Sequence, residues 1–82
     1  MKKDMFEVEI KIGDLVMYPD KYASERVIRF GRIQKETAKQ FGFTTVEKTE
    51  SGKIRESKNL YQLRNYKNAI VANEMIKKHL GE

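Results

Sequence analysis

Lys11-Ile12-Gly13-Asp14-Leu15-Val16-Met17-Tyr18-Pro19, answered by Arg26-Val27-Ile28-Arg29-Phe30-Gly31-Arg32-Ile33, is the stretch on which the fold turns. Gly13-Asp14 reads as a turn feeding an apolar strand, Leu15 to Tyr18. Pro19 is expected to stop that strand, because proline has no N–H to give to a ladder. Arg26 to Glu36 reads as the next strand, but its alternation breaks. Val27 and Ile33 share one parity, Ile28 and Phe30 the other, and Gly31 sits between them. A glycine inside a strand often marks a bulge or bend, so a kink is expected at Gly31, where one strand serves two faces of a closed sheet.

Upstream, Val8, Ile10 and Ile12 alternate with Glu7, Glu9 and Lys11, the period of a half-buried strand, while residues 1–6 read as frayed. Pro19 to Glu25 reads as a polar connection longer than a tight hairpin needs, with Tyr22 exposed in it. Downstream, Phe41 to Lys48 is rich in β-branched and aromatic residues and reads as a third strand. Thr49-Glu50-Ser51-Gly52-Lys53 is a hairpin signal, with Gly52 free to take a positive φ. Ile54 to Ser57 gives a short fourth strand, and Ser57 to Leu63 a turn into a last apolar segment.

Asn65 is placed as a helix N-cap. Tyr66, Ala69, Ile70, Ala72, Met75, Ile76 and Leu80 follow near a helical period. Lys77 and Lys78 suit the carbonyl end, and Gly81 can close it. The expected arrangement is a single domain over 1–82, mainly β (α+β), with strands over about 8–63 and a helix over about 66–80. Its expected core is Val8, Ile10, Leu15, Val16, Ile28, Ile33, Val46, Ile54, Leu60, Leu63 and Ile76.

Composition bounds what such a domain does. At 82 residues there is room for one core, which buries on the order of 60% of the unfolded surface, and none for a deep cleft besides. The absence of cysteine removes disulfides, thiolate zinc sites and cysteine nucleophiles, and favours a reducing, cytoplasmic setting. The first residues lack the apolar run of a signal peptide, and no apolar stretch approaches the ~20 residues that span a bilayer. The net charge of +5 is uneven: residues 1–25 carry four lysines against six acids, and residues 26–67 carry eleven basic residues against four acids. A basic middle attracts acidic proteins or polyanions.

The Gly-Asp-led strand, the kinked strand with an internal Gly-x-Ile, the hairpin and the late turn together resemble SH3-like small barrels of the Tudor and KOW type. In those domains a segment like Ile12-Gly13-Asp14-Leu15-Val16 starts the barrel, and one like Phe30-Gly31-Arg32-Ile33 forms the bent second strand. The resemblance covers roughly residues 8 to 63 and implies a five-stranded SH3-like barrel followed by the C-terminal helix. The chain is also similar, in size and lysine content, to small single-domain proteins common in bacteriophage genomes. Tudor domains hold methylated cations in aromatic cages, for which Tyr18, Tyr22, Phe41 and Phe43 are the candidates by position. The chain's own positive charge opposes a cationic ligand, and Tyr18 and Phe43 are better placed as core. KOW-type domains bind RNA or proteins through loops and strand surfaces.

No catalytic constellation is legible, and the expectation is a non-enzymatic binder without metal or cofactor. The only histidine, His79, has no nucleophile or carboxylate fixed beside it by sequence, and Asp14 and Asp20 read as turn formers. No metal-ligand spacing appears, and neither Gly31 nor Gly42 lies in a phosphate-cradling loop. The candidate binding residues are Tyr22, Arg26, Arg29, Arg32, Lys35, Lys53, Arg55, Lys58 and Tyr61, with Lys39 and Lys48 alongside. The first expectation is a host protein partner, acidic in character, modulated by a phage-encoded factor. The second is nucleic acid, RNA or DNA, on a basic face formed by residues 26–58, where phosphate contacts need only charge and an exposed ring can stack a base. Val71 and Met75 offer a homodimer contact through the helix. No membrane association is expected.

Overall fold

Gly13-Asp14 does feed the first strand, and the reason is local. Gly13 sits at φ +94, a region that suits glycine, and the Asp14 carboxylate accepts the Lys11 N–H at 2.8 Å. The computed structural model describes residues 1–22 and 25–81, the side chains of Lys21 and Tyr22 excepted. In chain order it contains β1 (Leu15–Tyr22), β2 (Glu25–Glu36), β3 (Phe41–Lys48), β4 (Ile54–Glu56), β5 (Tyr61–Leu63), a 3₁₀ turn (Tyr66–Asn68), β6 (Ile70–Val71) and α1 (Asn73–Leu80). The protein is therefore mainly β: an open antiparallel sheet in the order β4-β3-β2-β1-β6, with β5 paired to β3, and one short C-terminal helix.

Pro19 does not stop β1. The strand continues past it, pairing Pro19 with Ile28 and ending at Tyr22 opposite Glu25, so Pro19 to Tyr22 of the expected connection are strand, and Ala23 and Ser24 lie outside the described residues. Ala72 N–H donates to the Leu15 carbonyl at 3.0 Å, which turns the backbone groups of Leu15 toward β6. Alternation sends those of Met17 and Pro19 the same way, away from β2. The missing proline N–H therefore costs the β1–β2 ladder nothing. It ends the β1–β6 ladder instead, whose last pair is Met17 with Ile70.

Gly31 is not the bend. The register between β2 and β3 shifts between Ile33 and Lys35, which makes Gln34 the extra residue. Gly31 is required for a different reason: a Cβ there would lie 2.7 Å from Phe43 Cδ2 and 3.3 Å from Tyr18 Cε1. The two rings close over the glycine edge to face, 4.8 Å apart. The broken parity of β2 arises because both faces of the sheet are covered. One face carries Ile10, Val16, Tyr18, Ile33, Phe41, Phe43, Leu63 and Ala69, with Tyr66 and Val71 packed on. The other carries Leu15 and Val46 under Ile76 and Leu80 of α1, with Met17, Phe30 and Ala72 alongside. Phe30 thus packs on the helix side, opposite the face of Ile33.

Of the expected core, Ile10, Leu15, Val16, Ile33, Val46, Leu63 and Ile76 are buried, whereas Val8, Ile28, Ile54 and Leu60 are exposed. Their places are taken by Tyr18, Phe41, Phe43, Ala69 and Leu80. Ile28 lies on the part of β2 beyond its last pair with β3, Phe30 with Val46, and outside the cluster that α1 buries. Ile54 lies on the last strand of the sheet.

Residues 8–12 form no strand, and residues 2–6 are tied down. A single bridge joins Lys3 and Glu9, and the buried Asp4 carboxylate organises the turn between them. Its Oδ1 accepts the N–H groups of Phe6 at 2.8 Å and Val8 at 2.9 Å, and its Oδ2 accepts that of Val71 at 2.8 Å. The helix is shorter than its periodicity suggests. Asn65 makes no side-chain cap bond and precedes only the 3₁₀ turn, while Ile70 and Val71 pair with β1. Ala69 is buried in the first core, so the apolar positions from Tyr66 to Val71 fit the helical period by coincidence. Gly81 closes α1 as expected, at φ +85, with its N–H directed to the carbonyls of Lys77 and Lys78.

Candidate binding cleft

The same features that pack the first core leave it open on one side. β1 and β2 run on as a two-stranded arm past the last β2–β3 pair, and β5 returns against the start of β3. Between them lies a cleft of about 680 Å³. Its apolar wall is aromatic: Tyr18 against Phe43, and Tyr61 beyond with its ring centroid 6.0 Å from that of Phe43. Its polar rim is balanced, with Arg29 and Arg64 against Asp20 and Glu47. Arg29 Nε lies 3.1 Å from Asp20 Oδ2, and Arg64 Nε donates to Gln40 Oε1 at 3.1 Å. Burial pushes the Tyr18 phenol up to about 12, and the neighbouring Asp20 carboxylate adds to the rise. The phenol therefore stays neutral throughout the physiological range, a hydrogen-bonding group with no charge.

Strand alternation distributes the expected site residues. Arg29 lines the cleft, and Arg55, opposite Glu47 of the cleft rim, projects from that same face. Arg26 and Arg32 fall on the opposite face, where Arg32 Nε meets Glu56 Oε1 at 3.3 Å. Lys35 lies past the bulge at Gln34, and Lys39 lies between β2 and β3. Lys48 donates to the His79 carbonyl at 3.4 Å on the helix side. Lys53 and Lys58 flank β4. Tyr61 is half exposed on the cleft wall, and the side chain of Tyr22 lies outside the described residues. The basic residues of 26–58 thus do not form one face.

Of the cage candidates, Tyr18 and Phe43 border the cleft, but Phe41 is fully buried against Tyr66. Val71 belongs to β6 and packs on the first core, so it is not a spare position of the helix; Met75 is exposed on α1. His79 stacks edge to face on Phe30, ring centroids 5.3 Å apart, on the sheet face away from the cleft.

Sequence reasoning missed Glu47 and Arg64 as rim residues. It also missed Glu56, which accepts from Thr44 Oγ1 at 2.7 Å, Gln34 Nε2 at 3.2 Å and Arg32. The spacing of Tyr61, Leu63 and Arg64 carried part of the signal: Leu63 is buried, so a strand there turns Tyr61 to the same side. Among the described residues no helix is long and apolar enough to cross a membrane, and no group of three or more histidine, aspartate or glutamate side chains is placed to hold a metal ion.

No curated protein and no solved structure matches the chain. A family match covers residues 2–70, from the Asp4 turn through all five longer strands to the start of β6, and the chain belongs to that family, described as Domain of unknown function (DUF7205).

Proposed function

We propose that this protein is a non-enzymatic binding module that engages a protein partner through the cleft between the β1–β2 arm and β5. The observation that carries the reading is the wall of Tyr18, Phe43 and Tyr61 beneath a rim of both charges. Interfaces concentrate their binding energy in tyrosine and arginine at partly dry pockets, and this cleft offers both. A rim in which Arg29 and Arg64 are matched by Asp20 and Glu47 suits a polypeptide better than a polyanion. In the bacteriophage setting that the chain's style resembles, the partner is a host enzyme or a defence factor.

The same reading takes the sheet as an SH3-like barrel of the kind that Ile12 to Val16 and Phe30 to Ile33 resemble. In support, β2 pairs with β1 along its first part and with β3 along its second, with the bulge at Gln34 in the second. Nucleic-acid binding is the second reading. The cations around β4 favour it, and the placement of Arg26 and Arg32 on the face opposite Arg29 and Arg55 counts against it.

Capture from the native cell with the wild-type protein and with Tyr61→Ala, each with and without nuclease, separates the two. The protein-binding reading expects one partner that resists nuclease and is recovered at least about tenfold less with Tyr61→Ala, a loss of about 1.4 kcal/mol. Recovery that collapses with nuclease, falls steeply with salt and ignores Tyr61→Ala would give the function to nucleic acid.

A further inference from the structure

We propose that the outer edge of β4 takes up an extended, acidic segment of another protein as an added strand. This edge adjoins the cleft, since Arg55 stands opposite the rim residue Glu47, but it is a different surface and the inference does not rest on the cleft reading.

The backbone geometry comes first. Ser57 N–H donates to the Thr45 carbonyl at 2.9 Å, so Ser57 turns its backbone groups toward β3. Alternation gives Arg55 the same orientation and sends the N–H and carbonyl groups of Ile54 and Glu56 the other way. β4 is the terminal strand of the sheet order, and among the described residues it pairs with β3 alone. All three of its residues are exposed. An edge of this kind is a template for a further strand.

Charge then selects the occupant. Lys53, Arg55 and Lys58 border the edge. The one acid of β4, Glu56, is directed across the sheet to Thr44, Gln34 and Arg32, and Glu47 stands opposite Arg55 on the inner strand β3, which leaves the three cations in excess of it at the edge. A second copy of the chain pairing antiparallel about Arg55 would set two arginines directly opposite, which is repulsive. A strand with acids on the Arg55 side meets attraction in the same place. On its other side such a strand faces Ile54, 39% exposed, which calls for a β-branched apolar residue. The fitting segment therefore alternates acidic and apolar residues.

A capped heptapeptide of alternating Glu and Val, titrated into the ¹⁵N-labelled full chain, tests this. The proposal expects the amide signals of Ile54 and Glu56 to shift and their hydrogen exchange to slow at least about tenfold. The same peptide N-methylated on the residues that face Ile54 and Glu56 should lose the effect, since it cannot form the ladder. Lys53→Glu with Arg55→Glu should abolish binding and admit a Lys-Val heptapeptide instead, while Tyr61→Ala should bind the Glu-Val peptide unchanged. Absence of any change at residues 53–58 would overturn the proposal. Equal binding of the N-methylated peptide would do so too, as would tighter binding of an oligouridylate to the same residues without protection of the two amides. None of these outcomes bears on the cleft, which Tyr61→Ala reports separately.

Discussion

The two ends of the sheet are finished differently. At the β6 end the outward Val71 N–H is taken by the buried Asp4 carboxylate at 2.8 Å, and Met5 N–H donates to the Ala69 carbonyl at 2.9 Å. The N-terminal turn lies over that edge, and Glu7 is held at φ +66 to make it, a conformation that a non-glycine residue adopts at a cost. At the β4 end the edge residues are exposed, and the polar network around Glu56 lies across the sheet face and not along the edge. A small domain has few residues with which to cover sheet edges. Here one edge is closed by local chain and a buried acid, and the other is kept short, charged and open. That difference leaves the outward backbone groups of the β4 edge exposed while those of the β6 edge are covered.

Asp4→Ala should have the largest effect. It leaves three backbone N–H groups without their acceptor, one of them on the β6 edge, and is expected to cost on the order of 3 kcal/mol in urea unfolding. Asp4→Asn keeps one acceptor oxygen and should lose about half as much. Glu56→Ala, at the other end, removes an acceptor from a half-exposed network and should cost about 1 kcal/mol. Equal losses from Asp4→Ala and Glu56→Ala would mean that both ends are closed alike, and the contrast would fail.

The smallest effect at neutral pH belongs to Tyr18→Phe, in the seam between the two ends. The folded protein keeps this phenol neutral up to about pH 12, whereas the unfolded chain ionises it near its ordinary value of 10.0. The phenol therefore costs the fold nothing below pH 10, and stability falls as pH rises from 10 toward 12, because the unfolded state sheds the proton first. Denaturation of wild type and Tyr18→Phe side by side should coincide at pH 7 and diverge above pH 10, with the wild type falling faster.

Much of this molecule was legible from short-range pattern. The strands from Leu15 and Phe41, the hairpin at Gly52 with φ +86, and the helix end at Gly81 all stand where turn chemistry and alternation put them. The errors have one origin. Ile28 and Ile54 have the residue types of a core strand, but burial depends on how far the covering element extends, and α1 buries Val46 and packs on Phe30 of the same face while these two stay exposed. Tyr66, Ala69 and Ile70 satisfy a helical period, but pairing with β1 claims Ile70 and Val71 first. In the candidate site, Arg29 and Tyr61, expected as binding residues, line the cleft, whereas Glu47 and Arg64 were not legible, because their place on the rim comes from β3, β5 and the β1–β2 arm meeting.

The amino-acid sequence by itself determined the class of the protein: a short, cysteine-free, basic chain of antiparallel strands ending in a helix. Turn residues, strand periodicity and net charge act through neighbours a few positions away, and so can be read along the chain. The tertiary structure alone decided that Asp4 closes the β6 edge 67 residues downstream, that Gly31 makes room for two rings, and that the basic residues split between two faces. Each of those depends on which strand lies beside which, and the free energy that settles it comes from contacts between residues far apart in the chain.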